Sequence, residues 1–313
     1  MRTLSAIILN YATPQLTIDC AESVLPELES LGGELIIVDN ASPDDSRRRI
    51  TEWRERLAAP ARVRVVLAEK NGGFASGNNL GITACEAEFY GLLNSDTLAR
   101  PGAFAAMIAA MRADAGIGIL GPKITDAEGA AQISRFRHPT PLGEFVEAAG
   151  ADIVYRLLRR HVVPIAPDEE AEAEWIGFPC VLLRKAMIDD IGLLDERYFM
   201  YFEDCDYCRR AAQKGWKIAQ CLEAEVAHFH GASSQIAAVM QSRKRLPAYY
   251  YASRARYFIA WHGRAGFIAA NLLWLIGRAA SYLRLLALKP PRRAPAMRAF
   301  DNWTGPDHPR PDG

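Results

Sequence analysis

Short apolar runs alternate with segments whose hydrophobic positions recur at helical spacing through the first half of the chain. That pattern predicts a sheet of mostly parallel strands covered by helices. The expected strands are 4–10, 34–39, 63–68, 89–94 and 117–121. Helices are expected between them near 14–30, 43–58, 75–86 and 101–113, each opening on a proline or a small residue suited to a helix start. The fold class that follows is α/β, doubly wound. Beyond residue 122 the pattern loosens through 134–141. It resumes in a strand-like run at 175–183, a helix near 204–214 and a strand near 216–221, which extend the same sheet. Residues 240–262 and 265–288 predict two helices, followed by a stretch, KPPRRAP, without regular structure.

Bulk properties narrow this picture. In 313 residues, half of them hydrophobic and 24% charged, there is enough apolar side chain for a sizeable core and too little polar bias for a disordered chain. The formal net charge of zero conceals an asymmetry. Residues 1–225 carry 24 Lys/Arg against 34 Asp/Glu, whereas 226–300 carry 12 Lys/Arg and no carboxylate. Such a segment suits an anionic partner, such as a membrane surface or a phosphorylated acceptor. Six scattered cysteines, Cys20, Cys85, Cys180, Cys205, Cys208 and Cys221, favour reduced thiols over a disulfide framework. The opening MRTLSAIILNY is expected to be a strand, because its apolar run is too short for a secretory signal.

Candidate chemistry clusters where apolar runs end, since ligands of open parallel sheets sit beyond the carboxyl ends of the strands. LIIVDNAS delivers Asp39 and Asn40, and FYGLLNSDT delivers Asn94, Ser95 and Asp96. Between them KNGGFASGNNLG runs from a Gly- and Asn-rich loop into a helix. Backbone N–H groups can approach a phosphate there, and a helix N-terminus favours its charge. Asp and Asn after a strand are also common turn formers, so each motif alone is weak. Their occurrence at successive strand ends fits a nucleoside diphosphate.

Two further elements lie downstream. In MYFEDCDYCRRAAQKGW, Glu203, Asp204 and Asp206 stand at an expected helix start, behind the aromatic residues Tyr198, Phe199, Tyr201 and Phe202. Acids are favoured at helix N-termini, and Asp206 is spaced to pair with Arg210. In AHFHGASS, His228 follows a strand-like run and precedes His230 by two residues. Imidazole is a common ligand for transition metals and complements carboxylate oxygen. Cys205 and Cys208 lack the second pair that a structural zinc site needs, and helix packing is the simpler account.

In order, the pieces IILNY, IIVDNAS, NGGFASGNNLGI, LLNSDT, GFPCVLLRKAMIDDIGLLDERYFMYFEDCDYCRRAAQKGW and AHFHGAS resemble the family 2 glycosyltransferases, in particular the bacterial rhamnosyltransferase-like branch. The resemblance runs from about residue 4 to 234. It implies a Rossmann-like GT-A fold, with residues 1–235 as the catalytic domain: 1–122 the nucleotide-binding half, 123–235 the acceptor half. A basic, apolar helical segment, 236–300, and a tail, 301–313, would follow. By the same resemblance Asp39 contacts the nucleoside. Asn10, Asn40, Asn94, Ser95 and the loop 71–79, including Asn71, Gly72, Gly73, Phe74, Gly77, Asn78 and Asn79, line the donor site. Asp96 is the metal-binding carboxylate and His228 completes the site for Mg²⁺ or Mn²⁺. The usual Asp-x-Asp is replaced here by Asn94-Ser95-Asp96, which leaves one carboxylate. Asp204 matches the general base, with Glu203 as the alternative.

The function implied is inverting transfer of a sugar from a nucleoside-diphosphate donor to a hydroxyl of a glycan or lipid-linked saccharide, in bacterial surface-polysaccharide or cell-wall synthesis. dTDP-rhamnose is the leading donor. A nucleotidyltransferase of related fold and an inactive sugar-nucleotide-binding module are the competing readings. No nucleic-acid partner is expected, and homo-oligomerisation is left open. The protein is expected in the cytoplasm, with its C-terminal segment lying on the membrane. The longest charge-free apolar stretch there, 265–277, is shorter than the roughly 20 residues needed to span a bilayer.

Overall fold

The computed structural model describes residues 1–229, 246–287 and 298–307. Its first half runs β1 (Arg2–Asn10), α1 (Pro14–Ser30), β2 (Glu34–Asp39), α2 (Ser46–Glu55), β3 (Val63–Leu67), α3 (Gly73–Thr83), β4 (Ala87–Asn94), β5 (Thr97–Ala99), α4 (Ala103–Ala113) and β6 (Ile117–Thr125). Then come β7 (Arg135–Phe136), α5 (Pro141–Ala149), α6 (Asp152–Leu157), β8 (Pro164–Ile165), β9 (Trp175–Ile176), β10 (Cys180–Arg184), α7 (Lys185–Ile191), α8 (Glu203–Gln213) and β11 (Lys217–His228). A long helical element, α9 (Ala248–Ala287), and the short α10 (Arg298–Asp301) follow.

Eight strands form one sheet in the order β3-β2-β1-β4-β10-β6-β11-β5. β1 pairs in parallel with β2 and β4, β2 with β3, and β6 with β11, while β10 runs antiparallel between β4 and β6. All six residues of β2 are buried, as a strand covered by helices on both faces must be. β1 divides its side chains by parity. Leu4, Ala6 and Ile8 enter a core with Val24 and Leu28 of α1 and Phe104 and Met107 of α4. Ile7 enters the opposite core with Ile36, Val38, Ile82 and Met187. α3 lies close on β1 because Gly77 and Gly81 have no side chain: a Cβ there would come within 2.3 Å of Leu9 and 2.4 Å of Ile7.

The expected elements of the first half are present, with shifted ends. The second half differs from the sequence-based picture in three ways. The run expected as one strand at 175–183 is two, β9 and β10, in different sheets; Gly177 and Pro179 interrupt it. β9 joins β8 and β7 in a small separate sheet, order β8-β7-β9, within the stretch where the pattern had loosened. The strand expected near 216–221 continues to His228, through a register irregularity between Cys221 and Glu225. β5, α5, α6 and α7 are too short to leave a periodic signature.

α9 is two helices broken at Gly263, whose φ of 68° and ψ of 175° are not helical. The break falls between the two helices the sequence predicts, although 240–245 and KPPRRAP lie outside the described residues. The element packs on the body. Gly277 rests against α5, where a Cβ would meet the Phe145 carbonyl oxygen at 2.6 Å and the Ala148 Cβ at 2.9 Å. Arg254, 2% exposed, pairs with Glu144 of α5 at 3.1 Å and donates to Asn271 Oδ1 at 2.8 Å, tying both halves of α9 to α5.

Candidate active site

The ends of β1 and β2 are fastened by buried polar side chains. Asn10 donates through Nδ2 to Asp39 Oδ1 at 2.7 Å and to Ser42 Oγ at 3.0 Å, and its Oδ1 accepts from Thr17 at 2.8 Å. Asn10 therefore holds Asp39 in place rather than presenting its amide freely to a ligand. The residues just past these strands, Ala12 and Ala41, have φ of 55° and 57°. Left-handed backbone is unfavourable for alanine by roughly 1–2 kcal/mol, and such strain concentrates at functional sites.

The glycine loop is bound to the same edge. Asn40 donates to Asn71 Oδ1 at 2.9 Å and to the Gly73 carbonyl at 3.2 Å, and accepts from the Gly72 N–H at 3.3 Å. Gly73 has φ of +84°, and a Cβ there would lie 1.9 Å from the Phe199 carbonyl oxygen. The adjacent Phe74 N–H donates to that oxygen at 2.8 Å. Gly73→Ala is expected to destabilise the fold by at least about 1–2 kcal/mol from backbone strain alone, and to displace the segment around Phe199; thermal unfolding and donor titration measure both. Later residues of the loop have structural partners. Gly77 faces Leu9, Asn78 donates to the Phe74 carbonyl at 3.0 Å, and Asn79 exchanges hydrogen bonds with the Leu194 backbone at 2.9 and 3.1 Å. Gly77 and Asn79 fix α3 to its neighbours and Asn78 bonds within the helix, so the loop's phosphate-facing potential rests on 71–74.

Beyond β4, Asn94, Ser95 and Asp96 turn the chain into β5. The Asn94 N–H donates to the Pro179 carbonyl at 2.8 Å, Ser95 Oγ lies 2.9 Å from Thr13 Oγ1, and Asp96 is 1% exposed. β5 pairs antiparallel with the end of β11, with His228 opposite Thr97. That register brings His228 Nε2 to 3.4 Å from Asp96 Oδ1, so residues 132 positions apart meet as sequence analysis expected. Adjacent ligands on an octahedral cation with bonds of about 2.0–2.1 Å lie about 3 Å apart, and a carboxylate oxygen beside an imidazole nitrogen fits one edge of such a sphere. Among the described residues no third His, Cys, Asp or Glu joins them; His230 lies outside those residues.

The fourth element faces this edge. Tyr201 and Phe202, with φ of 70° and 67°, turn the chain sharply into α8, whose first residues are Glu203 and Asp204. With Ala12 and Ala41 they are the only non-glycine residues of positive φ among the described residues, and all four border the site. Asp204 accepts from the Cys205 N–H at 2.8 Å. Burial pushes its carboxyl up to about 6, against backbone hydrogen bonds from Cys205, its own N–H and Phe178 that favour the anion. Glu203 is 6% exposed, and its Oε2 has no hydrogen-bond partner among the described residues. Burial first, then the charges of Asp204 and Asp206, push the Glu203 carboxyl well above its usual range.

The Phe178 contact connects the two halves of the site: Phe178 reaches Asp204, and the next residue, Pro179, receives the Asn94 N–H at the start of the Asp96 turn. Asp206 has a different role. It pairs with Arg210 at 3.0 Å, as its spacing predicts, and also accepts from Tyr198 and, at 2.8 Å, from the indole of Trp261 in α9. Sequence reasoning missed Trp261, Thr13 and Ser42, which act through contacts distant in sequence, on Asp206, Ser95 and Asn10, and Thr17, which bonds Asn10 from the first turns of α1. All six cysteines are free, and Cys205 and Cys208 are buried with their thiols pushed up by burial, consistent with packing.

A mostly parallel sheet with two acidic turns, a glycine loop and a carboxylate-headed helix at one edge defines a nucleotide-diphospho-sugar transferase fold. A family model described as "Glycosyltransferase like family 2" matches residues 2–246, and the chain belongs to that family. Among curated relatives, the low-salt glycan biosynthesis hexosyltransferase Agl10 of Haloferax volcanii is 24% identical over 72% of this chain and 66% of its own length. The N-acetylglucosaminyl-diphospho-decaprenol L-rhamnosyltransferase of Mycobacterium tuberculosis is 32% identical over 43% of this chain and 45% of its own. The chain thus spans just under two thirds of the first relative and under half of the second. Among solved structures, the mannosyltransferase PcManGT of Pyrobaculum calidifontis, in complex with GDP-Man and Mn²⁺, aligns over 92% of this chain and 76% of its own with a TM-score of 0.56 at 14% identity. GalNAc-T7 with UDP, GalNAc and Mn²⁺ aligns over 74% and 44% with a TM-score of 0.57 at 13% identity. The fold is GT-A.

Proposed function

We propose that the protein is an inverting glycosyltransferase that moves a hexosyl or deoxyhexosyl unit from a nucleoside-diphosphate donor to a hydroxyl of a glycan or lipid-linked saccharide. The observation that carries this is the convergence on one sheet edge of Asp39, the 71–74 loop, the Asp96–His228 pair and Asp204. Asp39, held by Asn10 and Ser42, would accept a hydrogen bond from the nucleoside. Asp96 and His228 would hold Mg²⁺ or Mn²⁺. A cation bound there supplies Lewis-acid neutralisation of the departing diphosphate. dTDP-rhamnose is the leading donor, supported by the mycobacterial rhamnosyltransferase relative.

In the reaction the acceptor oxygen bonds to the anomeric carbon as the bond from that carbon to the diphosphate oxygen breaks, and the hydroxyl proton passes to the Asp204 carboxylate. A direct displacement of this kind inverts the anomeric configuration and needs one base and no covalent intermediate. Burial raises the Asp204 carboxyl toward the value that a base working near neutral pH needs. A role in glycan assembly is supported by both curated relatives, one a glycan-biosynthesis hexosyltransferase and the other a rhamnosyltransferase named for a lipid-linked saccharide.

The raised Asp204 pKa gives a pH test. The base must be ionised, so kcat/KM should fall about ten-fold per pH unit below a midpoint near 6 and level off above it. Because the folded-state pKa lies above the ordinary carboxylate value, stability is lost as pH rises through that window. Asp204→Asn should therefore raise the melting temperature at neutral pH. An acidic limb centred near 4, with no stabilisation by Asp204→Asn, would remove this assignment of the base.

A further inference from the structure

The second half of α9, after Gly263, presents two chemically distinct faces. Its inner face packs on α5 and carries the polar residues Asn271, Arg278 and Ser281, all buried. Its outer face carries Ile268, Leu272, Leu275, Ile276, Tyr282 and Leu283, exposed by 37 to 67%. At 100° per residue these fall on one side of the helix, with Ala265, Ala279 and Ala280 filling the row. The row extends about 27 Å at 1.5 Å per residue. Contiguous exposed apolar surface on that scale marks an interaction site.

We propose that this outer face docks on the surface of an anionic lipid bilayer. The helix is long and apolar enough by length and composition to cross one. Crossing, however, would strip α9 from α5 and carry Asn271 and Arg278 into hydrocarbon. Lying in the interface keeps both faces satisfied. Charge selects the occupant. The segment 226–300 has 12 basic residues and no acidic one, and the exposed Arg264 heads the apolar row. A second copy docking through the same face would bring two such segments together without a carboxylate to pair them.

Not every basic residue near the apolar stretch serves this surface: Arg254 and Arg278 are buried, and Arg256 donates to the Pro306 carbonyl at 2.7 Å. A second exposed apolar element lies near α9. α6, which directly follows the end of α5 on which Gly277 rests, exposes Ile153 by 61% and Leu157 by 77%, beside the exposed Arg156, Arg159 and Arg160. Trp303, against Phe267 at 6.2 Å, and Phe300, 86% exposed, add aromatic groups of the kind that settle at headgroup depth. The first half of α9 carries Trp261, which bonds Asp206 two residues from Asp204, so docking would hold the catalytic helix at the bilayer. The surface chemistry stands apart from the sugar-transfer reading, and vesicle binding is measured without donor.

The test is co-sedimentation of the full-length protein with phosphatidylcholine vesicles and with phosphatidylcholine–phosphatidylglycerol vesicles, alongside analytical ultracentrifugation without lipid. The mixed vesicles should bind the protein, and more weakly at high salt. Leu272→Glu/Ile276→Glu should weaken that binding roughly ten-fold or more, with circular dichroism and nucleotide affinity unchanged. Leu272→Ser/Ile276→Ser is the milder replacement should the glutamates impair folding. Failure of wild type to bind mixed vesicles, or full binding by a folded double variant, overturns the proposal. So does a lipid-free dimer that the same substitutions dissociate, since the occupant would then be a second copy.

Discussion

Asp204→Asn is expected to lower the rate of sugar transfer by about 10²–10⁴-fold, the usual contribution of a positioned base, while donor affinity stays within a few-fold of wild type. Asparagine preserves the size of the side chain and the bond from the Cys205 N–H, so the change removes basicity with little repacking. Glu203 is the necessary comparison, because it is adjacent and more deeply buried. Burial and the charges of Asp204 and Asp206 hold the Glu203 carboxyl well above its usual range, which disfavours the ionised form that a base needs. Glu203→Gln, which preserves the size of the side chain, should therefore retain most turnover. The reverse pattern would move the base to Glu203, and full activity in both variants would remove the mechanism.

Asp96→Ala is expected to reduce kcat/KM by at least about 100-fold and to abolish the effect of Mn²⁺ on donor binding, since Lewis-acid stabilisation of a leaving group is worth several kcal/mol. His228→Ala should cost less, about ten-fold, because it removes a neutral ligand and leaves the charge of Asp96 in place. Mn²⁺ should support activity at least as well as Mg²⁺, which prefers oxygen ligands to imidazole. Donor titrations by calorimetry, with and without each metal, measure the effect. Full wild-type activity in excess chelator would remove the metal role of the pair.

The proposed nucleotide half of this site was legible in the sequence as residues that end apolar runs, and the strand order brings those ends together. Asp39, Asn40 and Asp96 needed only the period of the strands to be placed at one edge. The pairing of His228 with Asp96 followed from the family resemblance; its physical basis, the antiparallel register of β5 with β11, was not legible, because β5 is three residues long and carries no pattern. The glycines of α3 show a different limit. NGGFASGNNLG runs from a loop into a helix, with 71–79 expected to line the donor site, yet Gly77 and Gly81 let the helix approach β1. Composition alone does not separate a glycine kept for a ligand from one kept for packing. The engagement of Asp206 by Trp261 likewise depends on how α9 folds back, which no local pattern encodes.

The central claim, sugar transfer with inversion from a nucleoside-diphosphate donor, is tested most directly by proton and phosphorus NMR of one reaction. The protein is incubated with Mn²⁺, a panel of nucleoside-diphosphate sugars led by dTDP-rhamnose, and a lipid-linked saccharide acceptor. Consumption of one donor should release the nucleoside diphosphate and yield a new glycoside of opposite anomeric configuration. Release of pyrophosphate, a product of retained configuration, or no consumption of any donor would contradict it.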